Sequence, residues 1–505
     1  MSYTNLLKKN IDSLLAALLG AFIIWLFTWH SGIGVSPDSV FYYNAADNLR
    51  LKGTLTDFNQ HPVVEFPALY PVFLAITSLI PGSFITTVAP VMNAVLFALV
   101  LFMSGAIMEQ FNFPSRWYKR LVLSILVVSP SLLEVYSMLW SETIFIMLFL
   151  AFMLSLKKYL HSNTIQHIVI AAFIAALSCV TRFAGVTFII TGLVMLFSLP
   201  GLMMRTKFVH AWLFAGISSS FLLCNLIRNQ LVSNTLTGER ERAIHTVSNN
   251  VHDMGMVFTD WLPFLKGHES VAAVTCIVLL IIFFIGCWRT SSRSPYNTTH
   301  ENIAVLFFIL YALFMIASAS LSRYEPLSNR LLSPLFIPMV WGISSWIPAR
   351  LKAKWRIIPV LLLYGSLQFY QLKADYEIWD GVKDAGIPGY TEDQWKQSPT
   401  ILYLQQDRTL FNKGYSMYSN AADAVYFFFR QPAQSLPHNE FALEKKRFLG
   451  SQHTMVIWFN DGDNPDLVNK DFITAVKKMY LFKSFKDGAI YLGDSIPTVP
   501  GQPAN

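Results

Sequence analysis

The sequence predicts a mainly α-helical, polytopic membrane domain followed by a small α/β domain. Three observations predict it. Apolar runs long enough to cross a bilayer recur between residues 12 and 372. Only 14% of the residues are charged while 53% are hydrophobic, against roughly 25% charged in a soluble chain. The stretch from about 372 to 505 returns to an ordinary soluble mixture. A mean hydropathy of +0.43 agrees.

A helix needs about 20 apolar residues to span a bilayer, fewer inside a bundle. Candidate crossings fall near 12–30, 84–108, 120–138, 141–158, 167–181, 185–200, 211–229, 270–288, 302–320, 331–348 and 356–372. That makes about eleven, with 167–200 reading either as a short hairpin or as one long helix. Lys8 and Lys9 precede the first run and no small-x-small cleavage site follows it. The run therefore reads as a membrane helix that starts in the cytoplasm, not as a cleaved signal.

Loop charge sets the orientation. Arg116, Lys119 and Arg120, then Lys157 and Lys158, Arg205 and Lys207, Arg289 and Arg293, and the cluster Arg350, Lys352, Lys354 and Arg356 all fall on the side of the N-terminus. Cationic loops stay inside, so the tail is expected outside, with a bacterial inner membrane as the setting. The net charge of +7 is this loop bias. No basic patch or base-stacking platform suggests nucleic acid. Cys179, Cys224, Cys276 and Cys287 lie in or beside apolar runs without metal spacing, and read as packing residues. Asn297-Thr298-Thr299 spells a glycosylation acceptor, but falls on the cytoplasmic side.

The expected domains are 1–371, in the membrane, and 372–505, outside it. The membrane part carries outer loops at 31–83 and 230–269. In the tail, 391–406, 421–430 and 466–480 read as amphipathic helices. Residues 415–419 and 455–459 read as strands, and 481–492 as a hairpin turning at Asp487-Gly488.

Ionisable residues inside membrane segments are rare and usually functional. Here they gather at outer helix turns: Glu134 and Glu142, Arg182, Arg228, and Arg323, Glu325 and Arg330. The plain alternative is that charges at helix ends sit where charges belong, with arginines snorkelling to headgroups. Transporters place their binding groups at the midplane, and no comparable set lies there. One-sided acids and arginines suit a surface-facing site for an anionic, lipid-attached substrate.

The first outer loop is the sharpest segment. Ser36 suits an N-cap and Pro37 the first helical position. Phe41, Ala45 and Leu49 form a stripe every four residues, as on a helix lying in the interface. Asp38 occupies the first turn, where the helix dipole favours its ionised form. A carboxylate there can act as general base on an acceptor hydroxyl, or simply decorate the helix start. Glu65 to Pro71 then turns into the short apolar stretch Val72 to Ile80, a second interfacial helix.

These residues resemble a family. Pro37-Asp38-Ser39-x-x-Tyr42, Ala46-x-Asn48-Leu49, Gly53 and Pro67-x-x-Tyr70-Pro71 are similar to the first outer loop of GT-C membrane glycosyltransferases. The nearest branch holds the protein O-mannosyltransferases and lipid A aminoarabinose transferases. Ser141-Glu142-Thr143, Thr181-Arg182-x-x-Gly185, Arg228-Asn229, Thr237-Gly238-x-Arg240, the 323–334 stretch, Gly389-Tyr390 with Trp395 and Ser398, and Tyr418-Ser419-Asn420 follow in order. Asp38-Ser39 stands where many relatives have two adjacent acids.

The resemblance implies a GT-C fold. It implies a sugar donor on polyprenyl phosphate and a glycan, lipid or protein acceptor, with inversion at the sugar carbon. It makes Asp38 the base, Glu142 a second acid, and Arg182, Arg228, Arg240, Arg323 and Arg330 the phosphate-binding set, since arginine forks phosphate. Tyr42, His61, Glu65 and Tyr70 are lesser substrate-binding candidates. No cofactor is implied, and a divalent metal is possible but not indicated. The rival readings are a transporter or flippase of lipid-linked sugars, and a non-catalytic envelope assembly protein.

Overall fold

The computed structural model describes residues 10–111, 116–240, 242–262, 264–291, 299–323, 325–346, 357–460 and 464–493. Arg293, the 350–356 cluster and Asn297-Thr298 lie outside these residues. The chain forms two compact units. One is built from Met1–Ile33 with Pro62–Ile387, the other from Gly34–His61 with Pro388–Asn505. The expected boundary at 371/372 falls inside a continuous helix, Ile357–Ala385. Residues 34–61 of the first outer loop pack with the tail, a pairing of distant segments that no local pattern announces.

The first unit is a helical bundle. Among the described residues six helices are long and apolar enough to cross a membrane: Ile11–Thr28, Phe84–Met108, Glu142–Ser162, Met204–Ser233, Glu269–Arg289 and His300–Leu321. Arg116–Val127 and Pro130–Ser137 make a seventh if counted as one span bent by 46°. Pro130 causes the break, because it cannot donate to the preceding turn, and Ser129 caps the new helix through Leu132 N. The other expected crossings fall on the shorter helices Ile165–Thr181, Val186–Phe197 and Phe336–Trp346, and on Ile357–Ala385. The chain is an integral membrane protein: its long apolar helices expose apolar flanks, as Val274, Ile277, Ile281 and Phe284 do on one helix.

Small residues and aromatics set the packing. Gly20 lies against Phe97 and Leu101, and Gly105 against Ser13, so Ile11–Thr28 and Ala89–Met108 approach closely. Phe188 and Phe307 meet edge-on at 5.3 Å within a cluster that includes Phe145, Phe149 and Phe152. At one end of the bundle Lys119 Nζ binds Asp12 Oδ1 at 3.0 Å and Glu109 Oε1 at 2.5 Å. At the other end sit Glu134, Glu142, Arg182, Asn329 and Arg330, described below.

The second unit has a five-stranded sheet in the order β2-β1-β3-β5-β4. The strands are β1 Ser416–Ser419, β2 Gln434–Ser435, β3 Thr454–Phe459, β4 Tyr480–Ser484 and β5 Gly488–Gly493. β1 pairs in parallel with β2 and β3, while β5 runs antiparallel to β3 and β4. Ala422–Phe429 and Ala442–Gly450 are the crossover helices. Val456, Trp458 and Tyr491 from the sheet close over Phe448, Val468 and Ile473. The expected 466–480 helix is reduced to the turn Phe472–Val476. Its end is taken by β4, whose residues gain more as an edge strand beside β5.

Candidate functional site

In the second unit Asp38 lies where the sequence places it. Ser36 Oγ accepts from Ser39 N, and Ser39 Oγ accepts from Ser36 N at 3.0 Å, a reciprocal cap on Pro37–Lys52. Asp38 occupies that capped first turn. This helix packs against Ala422–Phe429, where Asn44 donates to the Tyr426 hydroxyl. Tyr426 stacks on Phe58 at 4.9 Å, and Arg430 lies 5.2 Å over the Tyr43 ring. Asp423, in the first turn of the second helix, lies near enough to Asp38 for their charges to interact.

Tyr390 ties Asp423 to the segment before the Pro37–Lys52 helix. Its N–H donates to Val35 O at 2.8 Å, and its hydroxyl donates to Asp423 Oδ2 at 2.5 Å. Gly389 has φ +120, and a Cβ there would collide with Val35 O, so only glycine fits the approach. The sequence reading missed Asp423. Its signal was there: an acid in the first turn of a helix directly after a strand.

Burial pushes the Asp423 carboxyl up, the Tyr390 hydrogen bond opposes this, and the charge of Asp38 adds to the rise. Folding then favours the protonated acid relative to its ordinary value of 3.8. This contribution to stability is complete below the ordinary carboxylate range and is lost as pH rises through the raised value. Asp423→Asn is expected to flatten that dependence. Thermal melting of both proteins across acidic to neutral pH checks it: the wild type should lose ground to the variant as pH rises, and parallel curves would refute the assignment.

Of the lesser candidates in this unit, Tyr42 is buried in the Pro37–Lys52 helix. His61 is exposed, with Nδ1 3.6 Å from Asp57 Oδ2.

In the first unit the bundle end gathers three of the predicted residues. Glu142 opens its helix and is fully buried. Its Oε1 takes Arg182 Nη1 at 2.5 Å and Arg330 Nε at 2.9 Å. Arg182 Nη1 also donates to Ser141 Oγ at 3.1 Å, and the Arg330 guanidinium lies 4.5 Å over the Trp140 ring. Exposed Glu325 stands 3.8 Å from Arg330 Nη1. Next to this group Asn329 donates both to Glu134, through its amide, and accepts from Trp261 Nε1 at 2.8 Å. Two guanidinium groups thus share one buried carboxylate, and the Glu325 carboxylate also stands near Arg330. Glu142 is their counter-ion, buried rather than presented as an open acid.

A second arginine group pins the loop after residue 61. Arg228 Nη1 donates to Val63 O, Asn229 Nδ2 to Val64 O at 3.2 Å, and Arg240 Nη2 to Glu65 O at 3.4 Å. Gly238, at φ +80, admits the Glu65 side chain, whose Cγ would lie 2.6 Å from a Cβ there. Arg242 pairs with Ser322 in an antiparallel bridge, so the strands of chain bearing Arg240 and Arg323 run side by side. Tyr70 is fully buried against Phe73. Among the described residues no group of three or more His, Cys, Asp or Glu is disposed to hold a metal ion.

No protein-family model and no curated protein matches the chain. Solved structures do. ArnT from Cupriavidus metallidurans in the apo state aligns with a TM-score of 0.56 at 11% identity, over 94% of this chain and 96% of that one. The same protein bound to undecaprenyl phosphate gives 0.56 at 12%, with the same coverage. The archaeal oligosaccharyltransferase AglB from Archaeoglobus fulgidus, in complex with an inhibitory peptide and a dolichol-phosphate, gives 0.51 at 11%, over 99% of this chain and 76% of that one. The chain therefore shares the fold of ArnT and AglB.

Proposed function

We propose that the protein is an integral membrane glycosyltransferase that moves a sugar from a polyprenyl-phosphate donor to an acceptor hydroxyl at the outer membrane face. Asp38 takes the hydroxyl proton as the acceptor oxygen forms its bond to the anomeric carbon. The bond from that carbon to the phosphate oxygen breaks, and the sugar centre inverts. The leaving lipid phosphate keeps the bonding electron pair, so it needs cations more than an acid. Arg182 and Arg330 supply them, with Arg228, Arg240 and Arg323 on the neighbouring segments. Glu142 fixes the two buried guanidinium groups so that their remaining N–H donors stay aimed while the phosphate arrives.

The observation that carries this reading is the Arg182–Glu142–Arg330 group: two arginines at the bundle end oriented by one fully buried carboxylate. Guanidinium groups held in this way suit a phosphate. Lipid phosphates occupy two of the structures with this fold, which supports the choice of anion. The Asp38 carboxylate in the capped first turn of Pro37–Lys52 supports a base.

The test uses the purified full chain in lipid nanodiscs, with a polyprenyl phosphate carrying a radiolabelled sugar and a glycolipid extract of the cell envelope as acceptor. Label should pass to the acceptor and free polyprenyl phosphate should accumulate. In proteoliposomes, movement of intact labelled lipid between leaflets without chemical change would instead identify a transporter.

A further inference from the structure

The second unit contains a cavity that the proposed chemistry does not use. It encloses about 410 Å³ and is lined by Gln394, Trp395, Phe459, Asn460, Lys486 and Asp487 among others. Its lining joins the carboxyl end of β3 to the turn before β5 and to residues 394–399. Asn420 holds the end of β3, donating to Phe459 O at 2.7 Å and accepting from Phe459 N at 2.9 Å. Phe459 and Asn460, at the end of β3, line the cavity.

The wall is rigid before any ligand arrives. Asp487 accepts from Ser398 Oγ, from Thr400 N at 3.3 Å and from Thr400 Oγ1 at 2.9 Å. Asn460 Nδ2 donates to Lys486 O at 3.2 Å, and Asn460 Oδ1 accepts from Lys470 Nζ at 2.9 Å. Trp395 is wedged by Phe459 at 5.3 Å and by Tyr390 at 4.9 Å, perpendicular to the latter. Gln394 and Lys486 are exposed at the rim.

An indole beside amide, ammonium and carboxylate groups matches a molecule with apolar C–H faces and hydroxyl edges. The Asp487 carboxylate disfavours a phosphate or a nucleotide, and Lys486 balances its charge. The volume lies in the range of small-ligand sites. One neighbour links the cavity to Asp423: Tyr390 touches Trp395 with its ring and Asp423 with its hydroxyl.

We infer that this cavity is a saccharide subsite that holds an uncharged sugar ring of the acceptor. The acceptor role rests on the transferase reading; the binding of sugar does not.

Saturation-transfer NMR on the full chain in nanodiscs tests it, with D-mannose, D-galactose, N-acetylglucosamine, maltose and chitobiose as probes. At least one probe should receive saturation at its ring protons. Gln394→Ala and Lys486→Ala, both at exposed positions, should weaken that binding several-fold. Trp395→Ala should abolish it, with thermal melting checking that the unit still folds. Binding by none of the five sugars, or binding unchanged in all three variants, overturns the subsite. Asp38→Asn separates the two readings. If it binds sugar normally but transfers none, both stand. If it transfers normally while sugar binding still depends on Gln394 and Trp395, the base assignment falls and the subsite stands.

Discussion

Asp38→Asn is expected to lower sugar transfer by about 10²–10⁴-fold, the usual contribution of a positioned base, with the protein still folded. The amide keeps the size of the carboxyl but cannot accept the hydroxyl proton. The helix cap is built by Ser36 and Ser39 and survives the change. Initial rates with saturating lipid-linked sugar check the first statement, and an unchanged melting curve the second. A further outcome follows from the Asp423 neighbour: Asp38→Glu should recover only part of the activity, because the longer side chain enters a turn already shared with a second acid. Full activity in Asp38→Asn would remove the residue from the chemistry and return it to helix decoration.

The largest effect on stability is expected from Glu142→Ala. The substitution leaves Arg182 and Arg330 buried beside each other with nothing between them. Breaking a buried charge group by removing one partner costs about 3–5 kcal/mol. The matching control is Glu325→Ala. That carboxylate is exposed and stands 3.8 Å from Arg330, so its loss should cost no more than about 1 kcal/mol. Melting midpoints in detergent compare the two. Replacing both arginines by methionine in the Glu142→Ala background should restore part of the stability and none of the transfer. If Glu142→Ala melts with the wild type, the group is not the buried ion cluster described here.

Most of the helical framework was legible in the sequence, because bilayer thickness imposes a length and a composition on each crossing. Phe84–Met108 and His300–Leu321 follow their apolar runs almost to the residue. The cap at Ser36 was legible from its local residues, whereas the break at Pro130 falls inside what reads as one crossing, 120–138. The parallel edge strand β2 and the helix Ala442–Gly450 were not: β2 has two residues, and that helix is too charged to carry a clear apolar stripe. The charged residues at helix turns were recognised as a group, but their pairing was not. Nothing in residues 141–143 says that Arg182 and Arg330 will both turn to Glu142, since that depends on three helices meeting. Asp423 was hidden for a related reason. Its importance comes from the packing of two helices separated by hundreds of residues, and sequence periodicity describes one helix at a time.

That packing constrains how the protein is made. Gly34–His61 leaves the ribosome early, yet it packs with Pro388–Asn505, and residues 62–387 intervene. The strand framework that seats Asp38 is completed only by β5, at Gly488–Gly493. A nascent chain therefore carries its proposed base unseated throughout membrane insertion and acquires it only in the last steps of synthesis. Premature termination before β5 is expected to leave the membrane helices without the completed sheet.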